Sequence, residues 1–257
     1  MNSAQDSKQI DLNLLKLDYQ AARETDEFKN IFTKAAPLIS VCISTYNRAD
    51  LLLQRSLQSL INQSFKNLQI VIVGDACTDD TEAQLAKLKD SRITFHNLKV
   101  RGPYPRPGMN RWLVAGTNAV NRAIELAEGD FITHLDDDDW ASPDRLEVLI
   151  QAALETRSEF LWHQFLTQNS EGLWKTLGSE DLVLGQVTTG SIFYHKYFAR
   201  IKWDLYAFRE QEPGDWNRIR KIKFLEPRMS YVKKNLLLHY REQMQPYLNS
   251  DEQFLEF

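Results

Sequence analysis

Four consecutive aspartates, Asp136, Asp137, Asp138 and Asp139, follow the apolar run Phe131-Ile132-Thr133-His134-Leu135 and precede Trp140. Adjacent carboxylates repel one another and are costly to desolvate unless positive charge compensates them. The usual compensator is a hard divalent cation that takes oxygen ligands. A strand that delivers such a cluster suits a phosphate-bearing substrate, whose charge the same cation would share. The competing reading is a solvated acidic loop in which Asp139 or Asp144 caps the following helix.

The elements that must position this cluster are legible from the hydrophobic pattern. Apolar runs at residues 38–44 and 68–73 predict buried strands. Leucines 53, 57 and 60 predict a helix over residues 49–62, and further helices are expected at 81–88 and 115–127. Strands are expected at 93–98 and at 130–135, the second of these carrying the aspartates. Alternating strands and helices imply a parallel α/β sheet. Ligands of such sheets sit beyond the carboxyl ends of the strands. Three polar clusters meet there: residues 44–48, Gly74-Asp75 and Asp136 to Asp139.

After Trp140 the pattern changes. A helix is expected at 143–156, opened by Ser142-Pro143. Residues 160–167 and 173–177 are expected to pair as strands, with further strands at 187–194 and 229–233 and a short helix at 215–222. This half extends the same sheet. Residues 1–36 form an appendage with Ile10, Leu14, Leu17, Phe28, Ile31 and Phe32 at helical spacing. It suits a helix packed on the body, a dimer contact or a weak membrane-surface helix.

The chain has 257 residues, 43% of them hydrophobic, enough for a sizeable core. A net charge of -4 and a pI near 5.8 argue against a nucleic-acid binder. No apolar stretch approaches the roughly 18 residues of a membrane span, and residues 1–9 lack a signal-peptide core. Cys42 and Cys77 alone offer neither a disulfide framework nor zinc spacing. A cytoplasmic protein with reduced thiols is expected, with peripheral contact at the inner membrane face compatible with that.

Residues 37–145 resemble the inverting family 2 glycosyltransferases, whose fold is called GT-A. The motifs are Ile43-Ser44-Thr45-Tyr46-Asn47-Arg48, Val71-Ile72-Val73-Gly74-Asp75-Ala76-Cys77-Thr78-Asp79-Asp80-Thr81, Asn121 to Asp130, and Leu135 to Trp140. Thr189-Gly190-Ser191 and Gly214-Asp215-Trp216-Asn217 extend the likeness to about residue 225. The resemblance implies an α/β GT-A domain over residues 37–240, with a nucleotide-sugar half (37–140) and an acceptor-side half (141–240). Residues 1–36 are then an N-terminal helical extension and 241–257 a C-terminal tail.

The resemblance further implies a nucleoside-diphosphate sugar donor, UDP-sugar favoured, and Mn2+ or Mg2+ as cofactor. Ser44, Tyr46, Arg48, Asp75, Arg111, Asp136 and Asp137 fall to the nucleotide. Asp138 and Asp136 fall to the metal. His239, after Leu236-Leu237-Leu238, matches a late histidine that completes the metal shell in some members, against a structural histidine. Asp215 matches the catalytic base, against a simple helix cap. Its backups are Glu210 and Glu212. Two positions depart from the family pattern: Gly74 replaces the acid usual before Asp75, and Gly214 replaces the first member of a Glu-Asp pair. The register of the pocket's basic residue is blurred, with Arg101 and Arg111 as candidates. The loop from Arg101 to Arg111 suits a diphosphate clamp, a gate or a rigid crossover.

The chemistry asks for these groups. Charge that builds on a leaving diphosphate calls for a Lewis acid, and the incoming hydroxyl needs a base. In a single displacement the base stands opposite the leaving group, so it comes from a segment other than 136–139. The acceptor, a glycan, a lipid-linked sugar or a small molecule, belongs to the variable half; trytophan-rich stretches there (Trp162, Trp174, Trp203, Trp216) suit core or sugar-stacking roles. Polysaccharide or glycoconjugate synthesis is the family's expectation. A nucleotidyltransferase would carry an early glycine-rich loop, which residues 44–48 lack. A degenerate sugar-nucleotide or glycan binder would have lost the base or the metal acids, and both are present.

Overall fold

The computed structural model describes residues 11–169 and 171–240. Ile10 and the 241–257 tail lie outside the described residues. Strands β1 (Ile39–Thr45), β2 (Leu68–Gly74), β3 (Ile93–Asn97) and β4 (Phe131–His134) pair in parallel in the order 3-2-1-4. The chain thus steps outward from β1 to β3 and returns on the other side of β1. The crevice beyond β1 and β4 is therefore the switch point at which open α/β sheets bind ligands. β1 and β2 are buried along nearly their whole length, which is why both read as unbroken apolar runs.

The second half continues the same sheet. β8 (Ile192–His195) runs antiparallel to β4, and β6 (Phe160–Gln168) antiparallel to β8. β9 (Met229–His239) lies parallel to β6, and its end turns back along the short β5 (Trp140–Ala141). β7 (Trp174–Leu177) forms a hairpin with β6, as the sequence predicts. Parallel pairing thus joins β1 through β4, and recurs only between β6 and β9 among the described residues.

Helices cover both faces. Val41, Ile43, Ile70 and Ile72 face one layer with Leu52, Leu57 and Leu60, together with Leu149 and Ala153 of α8 (Arg145–Thr156). Cys42, Val71 and Val73 face the other, with Ala119, Val120 and Ala123 of α7 (Thr117–Leu126) and Ile219 and Ile222 of α9 (Gly214–Phe224). This period-2 division of neighbouring residues is the signature of a sheet buried on both sides.

Several expectations need correction. The helix expected at 49–62 is interrupted: α3 (Ala49–Leu51) and α4 (Gln58–Ile61) flank a π-helical stretch, Leu52–Leu57. The strand expected at 187–194 begins only at Ile192. A 3-10 turn, Thr189–Ser191, precedes it, locked by reciprocal bonds between Thr188 and Ser191. The last strand runs on to His239, because β9 changes register against β6 and so accommodates the Lys233-Lys234-Asn235 interruption. Helix α5 (Thr81–Leu85) is shorter than expected, and α6 (Met109–Leu113) lies where only loop was read.

The appendage packs on the body through α1 (Leu12–Arg23) and α2 (Asp26–Asn30), with Phe28 and Ile31 of the expected stripe buried and Phe32 packed against the core. Leu14 and Leu17 are exposed. A polar anchor adds to this: buried Glu159 accepts from the Tyr19 hydroxyl, from Arg23 Nε at 2.7 Å and from the Arg228 amide at 2.8 Å. Phe28 stacks on His195 at 3.9 Å. Trp162 and Trp203 are core, whereas Trp174 is largely exposed.

Candidate active site

The sheet delivers the acid cluster beyond β4. Asp137, Asp138 and Asp139 are buried, with Asp136 half-buried beside them. Arg48, after β1, reaches across the switch point. Its Nη1 lies 3.0 Å from Asp137 Oδ1 and 3.4 Å from Asp138 Oδ2. Arg55, on the π-helical stretch, donates to the Asp138 carbonyl at 2.9 Å, and its guanidinium lies 4.0 Å above the Tyr240 ring. A π-helical insertion rotates the residues that follow it, and such insertions are frequent at functional sites.

β9 brings His239 to the same place. Its Nδ1 is 3.0 Å from Asp139 Oδ2, and the Tyr240 amide donates to Asp139 Oδ1 at 3.0 Å. One ligand atom each from Asp136, Asp139 and His239 lies within 4.8 Å of the others. So Asp136 and His239 come together as the sequence predicts, with Asp139 as their third member. The Asp138 carboxylate faces Arg48.

Burial and crowding shift the titration of this cluster. Burial and the neighbouring Asp139 and Asp138 hold Asp136 well above the usual carboxylate range. Burial, Asp137 and Asp139 push Asp138 up to about 7 against the pull of Arg48 and His239. Burial alone would lower His239, yet Asp139, Asp136 and Asp138 push it up to about 9. Burial is the largest cause for the two aspartates, and the crowding of carboxylates adds to it, a charge that a divalent ion would offset. Two hard carboxylate donors and one imidazole also suit manganese or magnesium better than a soft-metal site would.

Asp215 opens α9 on the other wall. Its Oδ1 accepts from the Trp216 amide at 2.7 Å and its Oδ2 from the Thr189 hydroxyl at 3.4 Å. Burial raises its pKa above the ordinary carboxylate value, with the Trp216 and Thr189 bonds opposing. The neighbouring Gly190 lies against the acid cluster, since a Cβ there would stand 3.7 Å from Asp139 Oδ2, so Thr189 holds Asp215 near that cluster. Glu210 and Glu212 are instead engaged by Arg220.

The remaining predicted residues line the β1–β2 end. Asp75 is buried at the end of β2, where its amide donates to the Thr45 carbonyl at 2.8 Å. Its Oδ2 is 3.2 Å from Arg101 Nε, while its Oδ1 is buried without a partner. The Arg101 guanidinium lies 3.4 Å over the Tyr46 ring. Arg101, not Arg111, is therefore the basic residue that meets Asp75 and Tyr46; Arg111 lies 5.5 Å over Tyr104. Ser44 closes β1 so tightly against Gly116 that a Cβ there would stand 2.9 Å from Ser44 Oγ. Gly116 also has φ +74°, which favours glycine.

A match to the Glycosyl transferase family 2 model covers residues 40–221, well over half of the chain. The chain belongs to glycosyl transferase family 2. The putative colanic acid biosynthesis glycosyl transferase WcaA of Escherichia coli K12 is 34% identical over 139 residues, 53% of this chain and 43% of that protein. The GalNAc(5)-diNAcBac-PP-undecaprenol beta-1,3-glucosyltransferase of Campylobacter jejuni is 34% identical over 122 residues, 46% of this chain and 35% of that protein. The chain thus spans less than half the length of these two relatives. Among solved structures, Staphylococcus aureus TarS 1-349 in complex with UDP-GlcNAc superposes with a TM-score of 0.62 at 20% identity. The superposition covers 79% of this chain and 58% of that one. The mannosyltransferase of Pyrobaculum calidifontis in complex with GDP-Man and Mn2+ gives 0.59 at 14% identity, over 89% and 68%. These likenesses show that the fold is GT-A.

Asp139 as the histidine's partner, Arg55, Arg145 and Thr189 were not legible as site residues. The Asp-rich run hides which carboxylate faces which way, and the other three act on residues distant in sequence, Arg55 on Asp138, Arg145 on Gly190 and Thr189 on Asp215. No helix among the described residues is long and apolar enough to cross a membrane.

Proposed function

We propose that this chain transfers a sugar from a UDP-sugar to an acceptor hydroxyl with inversion at the anomeric carbon, and that it needs a divalent metal to do so. The observation that carries the reading is the meeting of the acid cluster, His239 and Asp215 in the one switch-point crevice. Asp136, Asp139 and the His239 imidazole, whose ligand atoms lie within 4.8 Å of one another, would hold Mn2+ or Mg2+, while Asp138, expected from the sequence as a ligand, faces Arg48. Asp139 grips His239 Nδ1, the pattern by which a carboxylate orients a metal-bound histidine and leaves Nε2 as ligand. The bound ion supplies Lewis-acid stabilisation of the charge that builds on the departing diphosphate.

The chain's own residues do the rest. Asp75 accepts from the nucleobase through its partnerless Oδ1, and the Tyr46 ring offers a stacking face. Arg48, already drawn to the cluster, is placed to bind a phosphate oxygen. Asp215, opposite, takes the proton of the acceptor hydroxyl. The hydroxyl oxygen bonds to the anomeric carbon as that carbon's bond to the diphosphate oxygen breaks, the electron pair leaving with the diphosphate. Burial raises the basicity of Asp215, which suits it to that proton. The relatives' names support an acceptor in polysaccharide or lipid-linked glycan assembly. The test is release of UDP from UDP-glucose and UDP-GlcNAc with Mn2+ and with chelator. Activity insensitive to chelator would refute the metal requirement.

A further inference from the structure

A single buried guanidinium joins the two walls of the crevice. Arg145, at the start of α8, is fully buried. Its Nη2 donates to Thr133 Oγ1 at 2.6 Å, to the Gly190 carbonyl at 2.6 Å and to the His134 carbonyl at 3.3 Å. Its Nε donates to His163 Nε2 at 3.2 Å. Burial and the neighbouring Arg145 hold His163 neutral, down to about 3, so its Nδ1 carries the proton given to the Gln164 carbonyl at 2.7 Å. All four Arg145 acceptors are neutral, and among the described residues it makes no carboxylate ion pair. Burying a charge in this way is costly. An apolar side chain of similar volume would fill the same space without that cost. What it could not supply is the rigid fork, which fixes several acceptors at once.

Those acceptors are the parts that carry the site. His134 ends β4, two residues before Asp136. Gly190 centres the Thr189–Ser191 turn, whose Thr189 hydroxyl bonds Asp215. The turn also lies against the cluster, since a Cβ on Gly190 would stand 3.7 Å from Asp139 Oδ2 and 2.9 Å from the Leu237 side chain. We infer that Arg145 is a positioning residue that sets the separation of Asp215 from the acid cluster by holding the Gly190 turn against the end of β4. The inference rests on the reading of Asp215 as the base. Arg145 itself is buried beneath the crevice and acts on the reaction only through Thr189 and the strand end.

The experiment compares Arg145→Lys, Thr189→Ala, their double variant and Asp215→Asn. Arg145→Lys keeps the charge but loses the fork. A displacement of about 1 Å in a reacting group costs on the order of a hundredfold in rate. In folded Arg145→Lys, kcat is therefore expected to drop by roughly ten- to a hundredfold while the KM for UDP-sugar stays within about threefold. The double variant is expected to be little worse than the poorer single one, as for two residues on one path. If Arg145→Lys does not fold, Arg145→Gln is measured in the same way. A folded variant with near-normal kcat, or losses that simply multiply in the double variant, would overturn the inference. Near-normal turnover of Asp215→Asn would instead overturn the assignment of the base, which separates the two failures.

Discussion

Replacing Asp215 with Asn removes a proton acceptor and little else. The carboxylate has two partners: the Trp216 amide at 2.7 Å and the Thr189 hydroxyl at 3.4 Å. The asparagine oxygen can keep the Trp216 amide, and its NH2 can give to Thr189, whose hydroxyl turns to accept. One weak bond changes direction, so the stability change should stay within about 1 kcal/mol. The chemical loss is larger. A positioned general base contributes roughly 10²- to 10⁴-fold, or about 3–5 kcal/mol at about 1.4 kcal/mol per tenfold. Donor binding is made by other groups and should be unchanged in a calorimetric titration of UDP with Mn2+. A continuous assay of UDP release should then show kcat down by that factor. The wild-type pH profile should bear the mark of the same group. Because burial raises the Asp215 pKa and the base works deprotonated, kcat falls as pH drops through a value above the ordinary carboxylate range. The variant should lack that limb. Turnover near the wild-type value would place the base elsewhere and refute this reasoning.

Other consequences are independent of that one. Glu159→Ala strands the Tyr19 hydroxyl in the core, leaves the part-buried Arg228 amide without its acceptor and frees Arg23. At about 1–3 kcal/mol for each buried group left unpaired, unfolding free energy should drop by about 3–5 kcal/mol. A urea midpoint unchanged from wild type would show that the appendage is not anchored there. Asp139→Ala should leave His239 without its partner and weaken Mn2+ binding by roughly ten- to a hundredfold. Calorimetry showing unaltered affinity would remove Asp139 from the histidine's support. Gly116→Ala meets both a positive φ and Ser44 Oγ at 2.9 Å, so it should lower stability by about 1–3 kcal/mol. A neutral result in thermal melts would show that the turn relaxes.

What the sequence conveyed and what it withheld follow physical lines. β1 and β2 were legible because strands covered on both faces read as apolar runs of fixed length. Asp215 was singled out only by the family resemblance, whereas the positions of the aspartates and of Asp75 at strand ends were legible from the apolar runs that precede them. The π-helical stretch at Leu52–Leu57 was not, since its leucines keep the spacing of an ordinary helix. β9 was cut short at Lys233 because its exposed lysines and Asn235 break the apolar pattern, and only pairing with β6 carries the strand past them. The apolar stripe of the appendage held at Phe28 and Ile31 but misled at its start, for a related reason. Leu14 and Leu17 look like core residues, but the burial falls on Tyr19, whose hydroxyl finds Glu159 some 140 positions away. Arg101 stood in a loop with several arginines, and only the fold distinguishes the one lying over Tyr46. Pairings across the chain are the part that local pattern does not encode.

The central claim is a metal-dependent nucleotide-sugar site at the acid cluster. Calorimetric titration of UDP, GDP and dTDP, each with Mn2+ and with chelator, tests it most directly. The account predicts that UDP binds with Mn2+ and that chelator abolishes the binding. UDP binding that is the same in chelator, or no binding of any of the three, would contradict it.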